Sequence, residues 1–251
     1  MEFGKAKMEW IEFDLLEAYP HVAHGVFLRP GGTSEKHFAS LNLGENVGDH
    51  PDHVKVNREL MRKTVGIPKI IFANQNHGVN VHRVTQKNMD KVSQADGLFT
   101  TEKNVGLAVT HADCQATIFY DPVHEAIGIV HAGWKGSVQN IYARFFEAMH
   151  RDIGTQPHNV IVCVSPSLGP DHAEYKNYKQ DFPEEWWSFQ VRPNYFDFWA
   201  MTKKQLSALG ILDKNIEISE VCTHCNPKEY FSYRREKETG RHATVVALKT
   251  T

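Results

Sequence analysis

The chain has 251 residues, 41% hydrophobic and 23% charged, which places it among ordinary globular proteins with enough material for a buried core. A formal charge of −2 and a pI near 6.7 give no global attraction to nucleic acid or to an anionic membrane, so any anion binding has to be local. Four cysteines, Cys114, Cys163, Cys222 and Cys225, are too few for a disulfide scaffold and read as thiols in a reducing cytoplasm.

From the N-terminus, residues 1–10 carry lysines but lack the apolar stretch and small-residue cleavage site of a secretory signal. No later apolar run approaches the length that spans a bilayer. Turn residues cluster at Arg29-Pro30-Gly31-Gly32-Thr33-Ser34 and from Gly44 to Pro51, yet neither cluster makes a linker, so residues 1–251 read as a single domain. Residues 52–65, with Val54, Leu60 and Met61 among charges, predict a helix, and 70–73 a short buried strand. Strands are expected at 105–110, 116–120 and 126–130, the last two joined by a turn at Asp121-Pro122.

Past Gly136, the residues Val138, Ile141, Tyr142, Phe145, Phe146 and Met149 recur at helical spacing and predict one amphipathic helix, with Ser137 as N-cap and Gly154 as left-handed C-cap. A buried strand at 160–164 runs into a proline-rich segment, 165–170, that cannot be helical. Residues 181–199 hold three of the five tryptophans and read mainly as packing. A helix at 202–209 stops at Gly210, and a strand at 216–221 meets Cys222-Thr223-His224-Cys225. Strands interleaved with helices at uneven spacing predict a mixed α/β (α+β) fold, a layered domain with a mixed β-sheet flanked by helices.

Three islands stand apart from this pattern: Gln75-Asn76-His77-Gly78, Ala112-Asp113-Cys114 and His131-Ala132-Gly133-Trp134. His77, Cys114 and His131 are the residue types that hold a catalytic Zn²⁺ with one position left open, and two of them fall beside predicted strand ends, where a rigid scaffold carries functional groups. Asp113 is positioned in sequence to orient a neighbouring ligand. The plainer assignment makes His77 a turn residue, Cys114 a small buried hydrophobe and His131 a loop hydrogen-bonder. Residue types alone favour it, because buried free cysteine is common and the three are far apart in sequence.

Two rival chemistries use overlapping residues. His172-Ala173-Glu174 with Cys222-Thr223-His224-Cys225 partly imitates the His-x-Glu and Cys-x-x-Cys pieces of nucleobase deaminases, although Val221 stands where that motif has proline. Alternatively Cys114 is the nucleophile of a hydrolase, with His77 or His131 as its base; a bound metal would make the thiolate a ligand and remove that option.

Motifs in a fixed order carry a resemblance. Ser40-Leu41-Asn42-Leu43-Gly44, Val47-Gly48-Asp49, the three islands extended to Val130-His131-Ala132-Gly133-Trp134-Lys135-Gly136, and Phe231-Ser232-Tyr233-Arg234-Arg235 followed by Thr239-Gly240-Arg241 resemble the multicopper polyphenol oxidase (laccase-domain) family, from about His24 to Leu248. The resemblance implies a zinc held by His77, Cys114 and His131, with those residues and Asp113 at the catalytic centre. It implies phosphorolysis of adenosine, inosine and S-methyl-5′-thioadenosine to a free base and a ribose 1-phosphate, with adenosine deamination beside it. Purine nucleosides and phosphate are then the expected partners, with no nucleic acid and no membrane. Family members are also linked to editing of peptidoglycan precursors, which would suit the hydrolase alternative. The family name promises copper, but one cysteine and two histidines do not supply the ligands of several coppers. A phosphorylase needs a cationic anion site, for which Arg29, Asn42, Lys135 and Arg234 are the candidates, with Arg235 and Arg241 behind them.

Overall fold

The computed structural model describes residues 7–250. Residues 1–6 and 251, which belong to the expected single unit and to the reading of the N-terminus, lie outside the described residues. In chain order the strands are β1 (Trp10–Ile11), β2 (Val22–Phe27), β3 (Lys69–Phe72), β4 (Val81–Arg83), β5 (Gly97–Thr100), β6 (Val105–His111), β7 (Gln115–Asp121), β8 (Ala126–Ala132), β9 (Ile161–Val164), β10 (Gln190–Arg192), β11 (Tyr195–Phe196), β12 (Ile216–Ile218) and β13 (His242–Leu248). The α-helices are α1 (Asp14–Glu17), α2 (Pro51–Val65), α3 (Trp134–Val138), α4 (Ile141–Ile153), α5 (Tyr178–Asp181), α6 (Phe198–Ala208) and α7 (Tyr233–Glu236).

The layered mixed class holds, with two mixed sheets where one was expected. One sheet has the order β1-β2-β13-β6-β3 and the other β12-β9-β7-β8-β5-β4, and β10 pairs with β11 as a separate ribbon. In each large sheet antiparallel and parallel pairs coexist: β6 runs antiparallel to β13 but parallel to β3, and β9 runs antiparallel to β7 but parallel to β12.

Side-chain alternation shows why the sheets stack. Leu107, Val109, Ile118, Tyr120, Ile127, Ile129, Val246 and Leu248 share one core between the sheets. Their in-between neighbours face outward: Ala108, Val245 and Ala247 pack under Met61 and Val65 of α2, while Phe119 and Val130 pack under Tyr142, Phe145 and Met149 of α4. A period of two thus serves two cores at once, which is why these strands read as unbroken apolar runs. Truncating one such residue, for example Ile129→Ala, would cost about 2–5 kcal/mol.

The expected helix after Gly136 is two helices. Gln139 and Asn140 interrupt it; Asn140 takes φ 55° and its side chain accepts from Ala143 N, so Asn140 rather than Ser137 caps α4. Ser137 lies inside α3, buried. Gly154 ends α4 at φ 88°, as expected of a residue without a Cβ penalty in the left-handed region. The next helix begins earlier than expected, at Phe198, because Asp197 accepts from Ala200 N as its N-cap. Strand β12 stops at Ile218; Glu220 at φ 51° turns the chain before the Cys-x-x-Cys segment. The tryptophan-rich stretch packs Phe182, Trp186, Phe196 and Phe198 into one aromatic cluster, in keeping with a packing role. Among the described residues no helix is long and apolar enough to cross a membrane.

Candidate metal centre

The three islands converge where the chain passes between the sheets. Cys114 lies in the tight turn from β6 in one sheet to β7 in the other, a turn made with Asp113 at φ 91°. His131 is next to last in β8, paired with Ala116 of β7. His77 sits beyond β3 in a bend that Gln75 fastens to β6, its amide donating to Thr110 O (2.8 Å) and its oxygen accepting from Thr110 N (2.8 Å). One donor atom from each of His77, Cys114 and His131 lies within 4.8 Å of the other two. The two imidazoles meet edge to face, ring centres 4.9 Å apart. His131 is buried and Cys114 half-buried, while His77 is exposed at the open side.

Asp96, which the motif reading missed, builds this arrangement. It sits just before β5, fully buried, and its carboxylate takes four donors. Oδ1 accepts from His77 N (3.0 Å) and lies 2.8 Å from His131 Nδ1; Oδ2 accepts from Gly78 N (2.8 Å) and Asn76 N (3.2 Å). Three successive backbone amides therefore fold around one carboxylate, which explains why His77 can hold φ 60°. Burial pushes the Asp96 carboxyl up, but the His131 and backbone hydrogen bonds outweigh it and hold it below its ordinary range. An ionised Asp96 draws the proton of His131 to Nδ1 and leaves Nε2 facing Cys114, the tautomer a metal ligand needs.

Asp113, expected to do this, faces the other way: its carboxylate accepts from Thr223 Oγ1 (2.7 Å) and Arg234 N (2.6 Å). The positive φ of the turn separates its side chain from that of Cys114. Gly133 supplies the remaining space. A Cβ there would stand 3.0 Å from His77 Cδ2 and 3.1 Å from Cys114 Sγ, so any larger residue would push against two of the three side chains.

The electrostatics couple Cys114 to His131. Burial alone would push the Cys114 thiol up; the adjacent His131 and hydrogen bonds from His131 and His77 bring it down to about 6. Burial likewise opposes protonation of His131, but the Cys114 thiolate and Asp96 raise it to about 9. Without a metal the pair is a thiolate beside an imidazolium. A cation replacing that proton would meet a thiolate and two imidazoles, a donor set that fits one zinc-class or copper-class ion with a position open to the cleft. It does not fit a multi-copper array: among the described residues only one other group of three such donors gathers, His172, His224 and Cys225.

The triad opens into a cleft of about 900 Å³ lined also by Arg58, Phe72, Gln75, Thr110, Tyr233 and Arg241. A neighbouring groove of about 690 Å³ shares Glu45, Asn46, Arg58 and Phe72 with it. Of the anion-site candidates, Arg241 lines the cleft with its guanidinium 5.7 Å from the Tyr233 ring centre, its Nη1 donating to Thr239 O (2.7 Å) and Gly240 O (3.0 Å). Arg58, which read from sequence as part of the charged face of α2, lies over the Phe72 ring at 3.7 Å and bonds Leu43 O (2.9 Å) and Glu45 (2.6 Å).

The other candidates do not line the cleft. Arg29 bonds Ala39 O, Pro227 O and Glu236; Arg234 bonds His172 O and Glu174 O; Arg235 bonds Thr223 O and His224 O. Lys135 is exposed, its ammonium 5.5 Å from the Trp134 ring. Asn42 is buried, and its Oδ1 accepts from Arg241 N (2.8 Å), so it positions the Arg241 backbone instead of meeting a ligand.

The family model described as multi-copper polyphenol oxidoreductase laccase matches residues 23–249. The chain belongs to this family. Among its relatives within the family, "Purine nucleoside phosphorylase YlmD" of Bacillus subtilis is 30% identical over 253 residues, covering 91% of this chain and 89% of the relative. A Streptomyces coelicolor protein also named purine nucleoside phosphorylase is 32% identical over 232 residues, covering 88% of this chain and 93% of its own length. The same fold is found in crystal structures of YfiH, a hypothetical protein of Bacillus licheniformis (TM-score 0.87, 30% identity, 98% of each chain), and of YlmD from Geobacillus stearothermophilus (TM-score 0.86, 26% identity, 98% of this chain and all of the other).

Proposed function

We propose that this chain is a zinc-dependent purine nucleoside phosphorylase acting on adenosine, inosine and S-methyl-5′-thioadenosine, with adenosine deamination as a side activity. One observation carries the reading: His77, Cys114 and His131, from distant parts of the sequence, put their donor atoms together at the floor of a cleft that also holds Arg241 and Arg58. The names of the relatives supply the substrate class.

When bound by His77, Cys114 and His131, zinc would supply a Lewis acid at the cleft floor. The protein's own groups set the rest. In phosphorolysis a phosphate oxygen bonds to C1′ of the ribose as the C1′–N9 bond breaks, its electron pair passing to the purine, which takes up a proton. Arg241 and Arg58 offer guanidinium charge to the incoming phosphate, and half-burial strengthens that charge relative to bulk water. Tyr233, 50% exposed at the rim, offers a flat face to a purine. Asp96 holds a proton on His131 Nδ1, so that Nε2 is the nitrogen a metal would take.

A second reading, a hydrolase with Cys114 as nucleophile, is favoured by the thiolate–imidazolium character of Cys114 and His131 without metal. The two separate cleanly. Phosphate-dependent release of adenine and hypoxanthine that is lost on chelation and restored by zinc supports the phosphorylase. Phosphate-independent turnover, undiminished in metal-free protein, supports the hydrolase; phosphate-independent formation of inosine and ammonia would make deamination the principal reaction.

A further inference from the structure

The second thiol and imidazole group lies outside the cleft, on the far side of Asp113. We propose that His172, His224 and Cys225 form a second metal site, taking one zinc-class divalent cation and clamping the 165–175 loop to the turn at 222–225. One donor atom from each of the three lies within 4.8 Å of the others. Tetrahedral zinc, with bonds of about 2.0–2.3 Å, sets two nitrogens and one sulfur roughly 3.3–3.6 Å apart, so closure draws the ligand atoms together by up to about 1.5 Å and turns one imidazole so that both in-plane lone pairs meet the ion. Imidazole with thiolate is also the donor combination that selects zinc over calcium or magnesium.

Three features mark a built site. The His172 and His224 rings lie face to face, centres 3.8 Å apart and 20° from parallel, although 51 intervening residues give no local reason for the two to meet. Among the described residues the ring nitrogens of the half-buried His172 and His224 have no protein hydrogen-bond partner, which leaves them open to an ion. Finally, the backbone behind the ligands is fixed from one helix: Arg234 holds His172 O (2.9 Å) and Glu174 O (3.0 Å), while Arg235 holds Thr223 O (2.9 Å) and His224 O (2.8 Å). Adjacent arginines of α7 thus grip the two ligand-bearing segments separately, and a shared ion would join them.

The same framework links the two sites. Thr223, between Cys222 and His224, donates to Asp113, which also receives Arg234 N and immediately precedes Cys114. A cation at the outer site would therefore stiffen the turn that presents Cys114. Cys222 stands beside Cys225 and accepts from Gly169 N (3.2 Å), which pins the turn to the same loop.

The inference does not rest on the phosphorylase reading, and metal counting separates them. Full-length protein is stripped with chelator, kept reduced so that Cys222 and Cys225 stay thiols, and titrated with zinc alone, bound zinc being measured per chain after gel filtration. The wild type should retain two equivalents; Cys114→Ala, His224→Ala and Cys225→Ser should each retain one, and Cys114→Ala combined with His224→Ala none. His224 and Cys225 lie at the surface, so those variants test ligands without opening the core, and circular dichroism checks their fold. A single equivalent, lost in Cys114→Ala but kept in His224→Ala and Cys225→Ser, overturns the outer site and leaves the cleft site standing. A single equivalent with the reverse pattern upholds the outer site and removes the cleft zinc. No retained zinc overturns both.

Discussion

Asp96→Asn is the perturbation that probes the arrangement of the centre most sharply, because it keeps shape while halving the acceptor capacity. The carboxylate answers four donors, two on each oxygen. An asparagine oxygen turned toward Asn76 N and Gly78 N keeps those two bonds but points its NH₂ at His77 N and His131 Nδ1. His131 can accept from that NH₂ only with Nδ1 deprotonated, which leaves its proton on Nε2, the position a metal would take; His77 N is left unpaired. The opposite rotamer keeps the tautomer but orphans both Asn76 N and Gly78 N. At about 1–3 kcal/mol for each unmet buried donor, the first arrangement is the cheaper, and it is the one that disables a ligand.

The expected result is a loss of about 1–3 kcal/mol in the stability of metal-free protein. Zinc affinity should fall about 10–100-fold, the range for removing a carboxylate behind a metal-bound histidine. Urea denaturation gives the first number and chelator competition the second. An Asp96→Asn protein with wild-type stability and wild-type zinc affinity would refute the reasoning, since the four-donor carboxylate would then be irrelevant to His131.

Other substitutions test separate parts of the account. Gly133→Ala should weaken zinc binding at least ~10-fold with a stability cost of about 1–3 kcal/mol, because its Cβ intrudes between His77 and Cys114; chelator competition reads it. Arg241→Ala should raise KM for phosphate more than ~10-fold at unchanged zinc content, whereas Arg29→Ala should lower stability by about 1–2 kcal/mol and leave that KM alone, as steady-state kinetics and denaturation would show. The buried His242, held down to about 4 by desolvation, is neutral in the folded protein where an unfolded histidine, near 6.5, takes a proton. The contribution of neutral His242 should therefore be fully present above pH ~6.5 and decline by about 3 kcal/mol as pH falls to ~4, at ~1.36 kcal/mol for each unit of separation. Urea midpoints against pH should show that limb, and His242→Met should make it shallower, the remainder belonging to the buried His111, whose protonation burial also opposes.

The site was legible in sequence to the extent that its chemistry is carried by rare residue types. Histidine and cysteine beside strand ends stand out, and His77, Cys114 and His131 needed only the ordered motifs to be grouped. Asp96 did not stand out, because an aspartate before a glycine looks like a turn residue; its partner His131 is 35 positions away, and its other bonds go to backbone amides that no side-chain pattern announces. Arg58 was hidden by its helix, where a charge reads as solvated until Phe72 of another element is placed beneath it.

Asp113 misled for the complementary reason: adjacency in sequence suggested adjacency to the ligands, and a positive φ sent the side chain to Thr223. The same limits applied to the fold. Doubly buried strands such as β6 to β8 announce themselves as apolar runs, but their division between two sheets depends on a single turn at Ala112–Cys114. Strand β2 was missed because His24 and Gly25 break its pattern; Gly25 is there for the Trp10 ring, whose Cδ1 would lie 3.0 Å from an added Cβ. The α3–α4 break was invisible because the apolar spacing runs through it, while the left-handed Asn140 that makes it is an unremarkable polar residue in the sequence.

The most direct test of the central claim couples metal to chemistry at one residue. Metal content and phosphate-dependent release of purine base from adenosine and inosine should be measured on the same preparations of wild-type and Cys114→Ala protein, with circular dichroism to confirm the fold. The account predicts that the cleft zinc and phosphorolysis disappear together in Cys114→Ala while the fold persists. A folded Cys114→Ala protein with wild-type zinc content and wild-type turnover would contradict it.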